Sequence, residues 1–232
     1  MEIKYLIIIV AVVFLLLVLV GLAIVNFSTE EMYDKYKKVS NLPCGVTPVD
    51  LFNTLNMAQF DNKLRLTFKK DLFCDALSSN GLLTLCSVYA NNNNMAGVAI
   101  CAHELGHAYQ FRDKKQKMYS HASLLKTSKL FSWLFTPLVI VGIGALILGY
   151  NMFGLGMLIS AGISFLVAVV SKLSTIGIEK EASENALEIL RVYANFTDDE
   201  LKTAKKFLNS AKMTYIADLL KIMLKWTMLV RK

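Results

Sequence analysis

Two histidines and a glutamate in one short segment have the types and the spacing of a metal-dependent hydrolase. The segment CAHELGHAYQ carries His103 and His107 at positions i and i+4, which face the same way on a helix. Two imidazoles one turn apart can hold a single Zn²⁺ through bonds of ~2.0–2.1 Å. Glu104 lies beside the first ligand without having to bind the metal, so it can accept a proton from an activated water. The pattern predicts a zinc centre with Glu104 as the general base.

A catalytic zinc site also needs a third protein ligand and an open position for water. Acidic candidates lie further along the chain in the sequence IEKEASEN at 178–185, for which a solvated charged helix face is the other interpretation. His121 is the remaining histidine, but its spacing from His107 fits no metal pattern, and a surface or interfacial position is the simpler interpretation. For the motif itself, the alternative is a pair of surface histidines on an amphipathic helix.

The segments before the motif predict the elements that position it. The Thr47-Pro48 pair is typical of a helix start, since proline is favoured at the first helical position. Apolar residues alternate over 64–68 and predict a half-buried strand, and Leu82–Cys86 predicts another after the turn sequence SSNG. The polar run at 91–94 predicts a loop that caps the motif helix. An extended peptide could add to such a sheet as a further strand.

The composition favours a membrane protein over a soluble domain. Apolar residues make up 55% of the 232 residues and charged residues only 19%, below the usual quarter. Residues 5–25 carry no charge and are long enough, at ~1.5 Å per residue, to cross a core of ~30 Å. They predict an uncleaved anchor, because the apolar run continues past the small residues that could mark a cleaved signal peptide.

Two further regions are apolar. Residues 131–173 are almost uncharged and predict two crossings, over 131–150 and 152–171. Residues 214–230 are apolar but contain three charged residues near one helical face, and they either lie in the membrane interface or span it.

These observations predict a mainly α membrane protein with a helical zincin-like catalytic core, a small β-sheet and three or four transmembrane helices. The expected regions are an anchor at 1–25, a zinc-peptidase region at 26–130, a helical hairpin at 131–173, and a third-ligand helix with a terminal helix at 174–232.

The charges favour a membrane partner and one orientation. The net charge is +7, but no base-reading motif accompanies it, so we expect no nucleic-acid partner. By the positive-inside rule the catalytic region faces the cytoplasm, with the protein placed in the cell membrane. The lysines that would share this side are Lys35, Lys37, Lys38, Lys126, Lys129, Lys172 and Lys180. The four cysteines form no CxxC pair and are expected to be free thiols: Cys44, Cys74, Cys86 and Cys101.

The chain resembles the membrane zinc metallopeptidases of the YugP type over nearly its whole length. The likeness consists of the anchor, YDKY at 33–36, AHELGHA with the following Gln110, a helical hairpin, Glu179 with Ala182-Ser183, and Thr214-Tyr215. The resemblance implies that Glu179 is the third zinc ligand, since the family's second acidic motif has a glutamate, two residues and then Ala-Ser. Glu181 is the alternative, because Lys180 replaces the family's aromatic residue and no Leu-Pro precedes the motif.

The motif and the resemblance together predict a membrane-bound endopeptidase with one catalytic Zn²⁺. Its expected partners are the lipid bilayer and a protein or peptide substrate that lies in or near the membrane. The alternative is a catalytically inactive zinc-binding membrane scaffold, although a purely structural site has no need of a base at Glu104.

Overall fold

A computed structural model describes residues 34, 36–70 and 75–209, without the side chain of Lys115. The predicted anchor at 1–25 and the ambiguous helix at 214–230 lie outside these residues and stay predictions. The chain divides into two compact units. We call the described parts the polar unit, which consists of residues 34–121 and 176–209 with the gaps given above, and the hairpin unit, residues 122–175.

One helix of the polar unit has a start that follows from its sequence. Helix α1 (Pro48–Gln59) has Thr47 as its N-cap and proline at its first position. The Thr47 hydroxyl accepts from the Asp50 backbone N–H at 3.1 Å, and the Asp50 carboxylate accepts from the Thr47 N–H at 3.2 Å. This reciprocal pair satisfies two N–H groups that the helix leaves without partners. The helix start predicted from Thr47-Pro48 is confirmed.

A three-stranded sheet follows, in the order β1–β3–β2. The strands are β1 (Arg65–Lys69), β2 (Ala76–Leu77) and β3 (Leu82–Cys86). Strand β3 pairs in parallel with β1 and antiparallel with β2. Asn56 of α1 fixes the entry to β1, because its side chain donates to the Leu64 carbonyl and accepts from the Leu64 N–H. Both predicted strands are present, and the small sheet is confirmed.

Further helices pack around the core of the described part of the polar unit. Helix α2 (Met95–Asp113) carries the histidine motif and begins at Asn94, whose Oδ1 accepts from the Gly97 N–H at 2.7 Å. The prediction that the polar run at 91–94 caps this helix is confirmed. Helix α5 (Ile176–Tyr193) packs against α2 more extensively than any other helix does. Residues 198–209 are also helical, and their apolar side chains enter the same core.

The hairpin unit consists of long apolar helices. Helix α3 (Lys115–Ile147) begins in the polar unit and continues through this one, and α4 (Asn151–Leu173) follows a turn at Gly149, where φ is +86°. Ser128 donates from Oγ to the Ala168 carbonyl at 2.9 Å and so joins the two helices.

Two helical stretches of the described residues are long and apolar enough to cross a membrane. They are Gln116–Ile147 and Asn151–Tyr193, and in their most apolar windows only 33% and 22% of the residues are buried. A core helix of a soluble protein would bury most of such a window. These stretches are therefore candidate membrane-spanning helices, and the chain is mainly helical with a small sheet.

Candidate metal centre

Helix α2 presents the two motif histidines on one face. The ring centroids of His103 and His107 lie 4.9 Å apart, with the rings nearly perpendicular. His107 is buried and His103 is partly exposed. Glu104 is buried within the polar unit. The helical spacing predicted for the motif is therefore the spacing in the structure.

Helix α5 brings Glu179 to these histidines across a sequence separation of more than seventy residues. Its Oε2 atom lies 3.4 Å from His103 Nε2 and 3.4 Å from His107 Nε2. One possible ligand atom from each of the three residues lies within 4.8 Å of the other two. Asn185 of α5 supports this contact, because its Nδ2 donates to the Gly106 carbonyl at 3.3 Å. The structure thus brings together the three residues predicted as ligands.

Hydrogen bonds behind the imidazoles fix which ring nitrogens carry protons. Gln110 donates from Nε2 to the Ile178 carbonyl at 2.9 Å, so its Oε1 accepts from His107 Nδ1, also at 2.9 Å. Ser183 donates its hydroxyl proton to the Glu179 carbonyl at 2.9 Å and accepts from His103 Nδ1 at 3.3 Å. A neutral imidazole with a proton on Nδ1 has its lone pair on Nε2. In their neutral forms, both motif histidines therefore turn Nε2 lone pairs towards the Glu179 carboxylate.

This arrangement fits a zinc ion. Within the described residues, Glu179 Oε2 is buried and has no hydrogen-bond partner. When both histidines are neutral it faces two further lone pairs, and such a cluster needs a proton or a metal ion between its members. A tetrahedral centre with bonds of ~2.0–2.1 Å places neighbouring ligand atoms ~3.3 Å apart, close to the two distances observed. Two imidazoles and one carboxylate are also a ligand set used by catalytic zinc.

The electrostatics of the site favour cation binding and proton transfer. Burial raises the pKa of Glu104 above its ordinary 4.5, and the nearby His107 and His103 oppose that shift only in part. Burial by itself lowers the pKa of His107. The Glu179 and Glu104 carboxylates outweigh it and raise the pKa to about 9, with Gln110 contributing. In the metal-free protein below about pH 9, His107 is therefore protonated, and its positive charge takes the place of the metal ion.

Glu181, the alternative third ligand, lies elsewhere. Its carboxylate pairs with the ammonium groups of Lys114 and Lys117, the latter at 2.7 Å. These contacts tie the start of α5 to the junction between α2 and α3. Of the two glutamates, only Glu179 belongs to the cluster around the histidines.

The interpretation of His121 as a surface residue is wrong. His121, near the start of α3, is only 6% exposed. Its ring stacks beside that of His107 at a centroid distance of 6.2 Å, and its Nε2 lies 3.5 Å from Glu179 Oε1. Spacing along the chain could not reveal this position, because α2 ends at Asp113 and the break before α3 redirects the chain. The only available signal was that the chain has just three histidines.

Sequence reasoning also gave no role to Gln110 and Ser183, although both belong to the stretches that carry the family resemblance. Their roles depend on how α2 packs against α5, which periodicity cannot predict. Cys44, Cys86 and Cys101 are free thiols, as predicted, and Cys74 lies outside the described residues.

Comparison with known proteins agrees with the site. The model of one protein family, described as "Putative neutral zinc metallopeptidase", matches residues 5–231. The protein named "Putative membrane protease YugP" from Bacillus subtilis (strain 168) is 28% identical over 129 residues, which cover 53% of this chain. The match spans 52%, about half, of that relative's length. No solved structure matches the chain. The resemblance to the YugP type is confirmed, and the chain belongs to the family described as putative neutral zinc metallopeptidases.

Proposed function

We propose that this chain is a membrane-bound zinc endopeptidase that hydrolyses proteins in or near the membrane. One observation carries the proposal. Three buried or nearly buried lone-pair donors, on His103, His107 and Glu179, converge and interact electrostatically with the buried carboxyl group of Glu104. A structural metal site usually has four protein ligands and no adjacent base, whereas a catalytic site has three ligands and an open position.

His103, His107 and Glu179 would hold the ion through Nε2, Nε2 and Oε2. When bound, zinc polarises a substrate carbonyl and lowers the pKa of a coordinated water. Gln110 and Ser183 keep the two imidazoles in the tautomer that can bind, since each accepts the proton of an Nδ1 atom.

Glu104 moves the proton in this mechanism. Its carboxylate takes a proton from the attacking water while the water oxygen forms a bond to the peptide carbon. It then gives that proton to the departing nitrogen as the C–N bond breaks. The raised pKa of Glu104 suits both steps, because a carboxylate with a higher pKa is a better base near neutral pH.

The sheet offers a position for an extended substrate. Strand β2 (Ala76–Leu77) is an edge strand among the described residues and packs against α2. An extended peptide that pairs with this edge forms backbone hydrogen bonds without regard to its sequence, and side-chain pockets would then select it. We assign the substrate-binding edge to β2.

The candidate membrane helices support a membrane-associated substrate. The hairpin formed by α3 and α4 exposes large apolar side chains along both helices, among them Ile140, Ile147, Phe153, Ile163 and Val170. Glu179 follows the end of α4 closely in the sequence, so the proposed third ligand comes soon after an apolar helix. We place the protein in the cell membrane with its polar unit in the cytoplasm, as the lysine distribution favours.

The test uses the detergent-purified full chain. We expect it to contain about one zinc per chain, to cleave casein, and to lose cleavage to a chelator and regain it with added zinc. Glu104→Gln should keep the zinc and lose ~10²–10⁴-fold in cleavage rate, the usual contribution of general acid–base catalysis. Glu184→Gln is the matched control, because Glu184 is exposed on α5 and, among the described residues, pairs with Lys180.

Each outcome separates the interpretations. If Glu104→Gln cleaves casein as fast as the parent, the proposed role of Glu104 is wrong. If the parent binds zinc but cleaves nothing at any pH, the protein is a zinc-binding scaffold. If the parent contains no metal, the zinc assignment itself fails.

A further inference from the structure

All three histidines of the chain gather around one carboxylate. His103 and His107 face Oε2 of Glu179 at 3.4 Å, and His121 faces the other oxygen, Oε1, at 3.5 Å. The side chain of His121 is 7% exposed, and its Nε2 has no hydrogen-bond partner within the described residues. A buried nitrogen without a hydrogen-bond partner costs folding free energy. A role of His121 at the neighbouring Glu179 carboxylate would account for that cost.

His121 lies next to the Oε1 atom of Glu179 and does not belong to the group of proposed ligands. The three proposed ligands have donor atoms within 4.8 Å of one another, and His121 is not part of that group. It approaches the glutamate at Oε1, whereas the other two imidazoles approach Oε2. A fourth ligand would have to lie close to all three donors, whereas a support needs only to reach the carboxylate.

We propose that His121 is a positioning residue that holds Glu179 so that only its Oε2 binds the metal. In the tautomer with a proton on Nε2, His121 donates to Oε1 and keeps that oxygen from turning towards the cation. The carboxylate would then supply one ligand atom to the ion instead of two, which would leave a position open for water. The role needs no change of protonation state. It rests on the proposed function, because it assumes that the cluster holds zinc.

The test compares three substitutions in the detergent-purified full chain. His121→Leu removes the donor and keeps an apolar group of similar size. His121→Gln keeps an N–H donor at a reach close to that of Nε2, and His121→Asn keeps an amide that ends too short. Zinc affinity is measured by competition with a chelator of known affinity. Coordination is monitored from the visible absorption of the Co²⁺-loaded protein.

We expect His121→Leu and His121→Asn to weaken zinc binding ~10–100-fold, the range found for residues that support metal ligands. His121→Gln should restore most of the affinity and the parent Co²⁺ spectrum. Without the donor, Glu179 can bind through both oxygens, so the spectra of the Leu and Asn variants should shift towards a higher coordination number. A role in packing alone would not separate Leu from Gln, whose side chains are similar in size.

Two results overturn this inference. The first is parent-like zinc affinity in His121→Leu or, if that variant does not fold, equal affinities in the Gln and Asn variants. The second is complete loss of zinc in all three variants, equal to that of His103→Ala, which would make His121 a ligand. A parent without zinc defeats the proposed function and this inference together. A parent that binds zinc but cleaves nothing defeats only the proposed activity, since the affinity comparison needs no cleavage.

Discussion

Gly106 of α2 lies so close to Ala182 of α5 that a Cβ atom on Gly106 would stand 2.4 Å from the Ala182 carbonyl oxygen. Any side chain at this position has to push the two helices apart. The glycine stands between the two motif histidines, and Ala182 lies one turn after Glu179. This close approach is what allows the carboxylate of one helix to reach the imidazoles of the other.

Gly106→Ala should therefore weaken zinc binding as well as stability. Overpacking costs ~1–3 kcal/mol, which exceeds the ~1 kcal/mol that alanine gains over glycine in a helix. Thermal unfolding and chelator competition measure the two effects. Gly177→Ala is the control, because no atom of the described part of the chain lies within 4 Å of a Cβ atom there. Equal zinc affinity and melting temperature in the two variants would mean that the close contact is not required.

The two glutamates of α5 should respond differently to removal. Glu179→Ala should weaken zinc binding by more than the ~100-fold upper range for residues that only support ligands. Glu181→Ala breaks pairs with Lys114 and Lys117 that are partly exposed, each worth ~0–1 kcal/mol, and should leave zinc affinity unchanged. Metal analysis after dialysis against a weak chelator distinguishes them. The reverse result would move the third ligand to Glu181.

Zinc affinity should rise with pH up to about 9. The pKa of His107 is raised to about 9 in the metal-free protein, so below that pH zinc has to displace a proton from this imidazole. Each unit below 9 should lower the apparent affinity by up to ~10-fold through this group. Chelator competition in zinc-buffered solutions from pH 6 to 9 measures the slope, and an affinity that is constant over this range contradicts the assignment.

The raised pKa of His107 also affects the stability of the metal-free protein. This stability should fall as pH rises, whereas zinc affinity should rise. A folded-state pKa above the ordinary 6.5 gives stability that is fully present below pH 6.5 and is lost as pH rises through about 9. Thermal unfolding of the chelator-treated protein should therefore move to lower temperature between these values. A melting temperature that rises over the interval would show that His107 is not held in its charged form.

A charge in the middle of α4 should oppose membrane insertion. Ile163 is exposed near the centre of this helix, where lysine costs ~2.5–3.5 kcal/mol if lipid surrounds it. Ile163→Lys should reduce the alkali-resistant membrane fraction. Leu173→Lys, at the end of α4, should not, because lysine there can reach the interface. If α4 faced water instead, both variants would behave alike and increase solubility.

Much of the polar unit could be predicted because local chemistry decides it. The Thr47-Pro48 start, the cap at Asn94 and the strand Leu82–Cys86 all depend on neighbours in sequence, and all three are confirmed. The parallel pairing of β1 with β3 was not predicted, because alternation identifies a strand but not its partner. The number of membrane crossings and the zincin-like core stay predictions.

The site was predictable only where one helix supplies the residues. Two histidines at i and i+4 must share a face, so His103 and His107 needed no tertiary information. Glu179 came from the family's motif and not from spacing. The surface position expected for His121 is wrong because its approach to Glu179 depends on the break between α2 and α3. The residues at 113–115 give no sequence signal for that break.

The order of the donors along the chain bears on how the protein is made. The ribosome synthesises His103 and His107 before the apolar hairpin, and Glu179 after it. If the hairpin crosses the bilayer, only a second passage returns the glutamate to the compartment that already holds the histidines. A nascent chain whose hairpin has crossed the bilayer only once therefore lacks one of the three proposed metal ligands at the site. Hydrolytic activity would then depend on correct insertion of the hairpin.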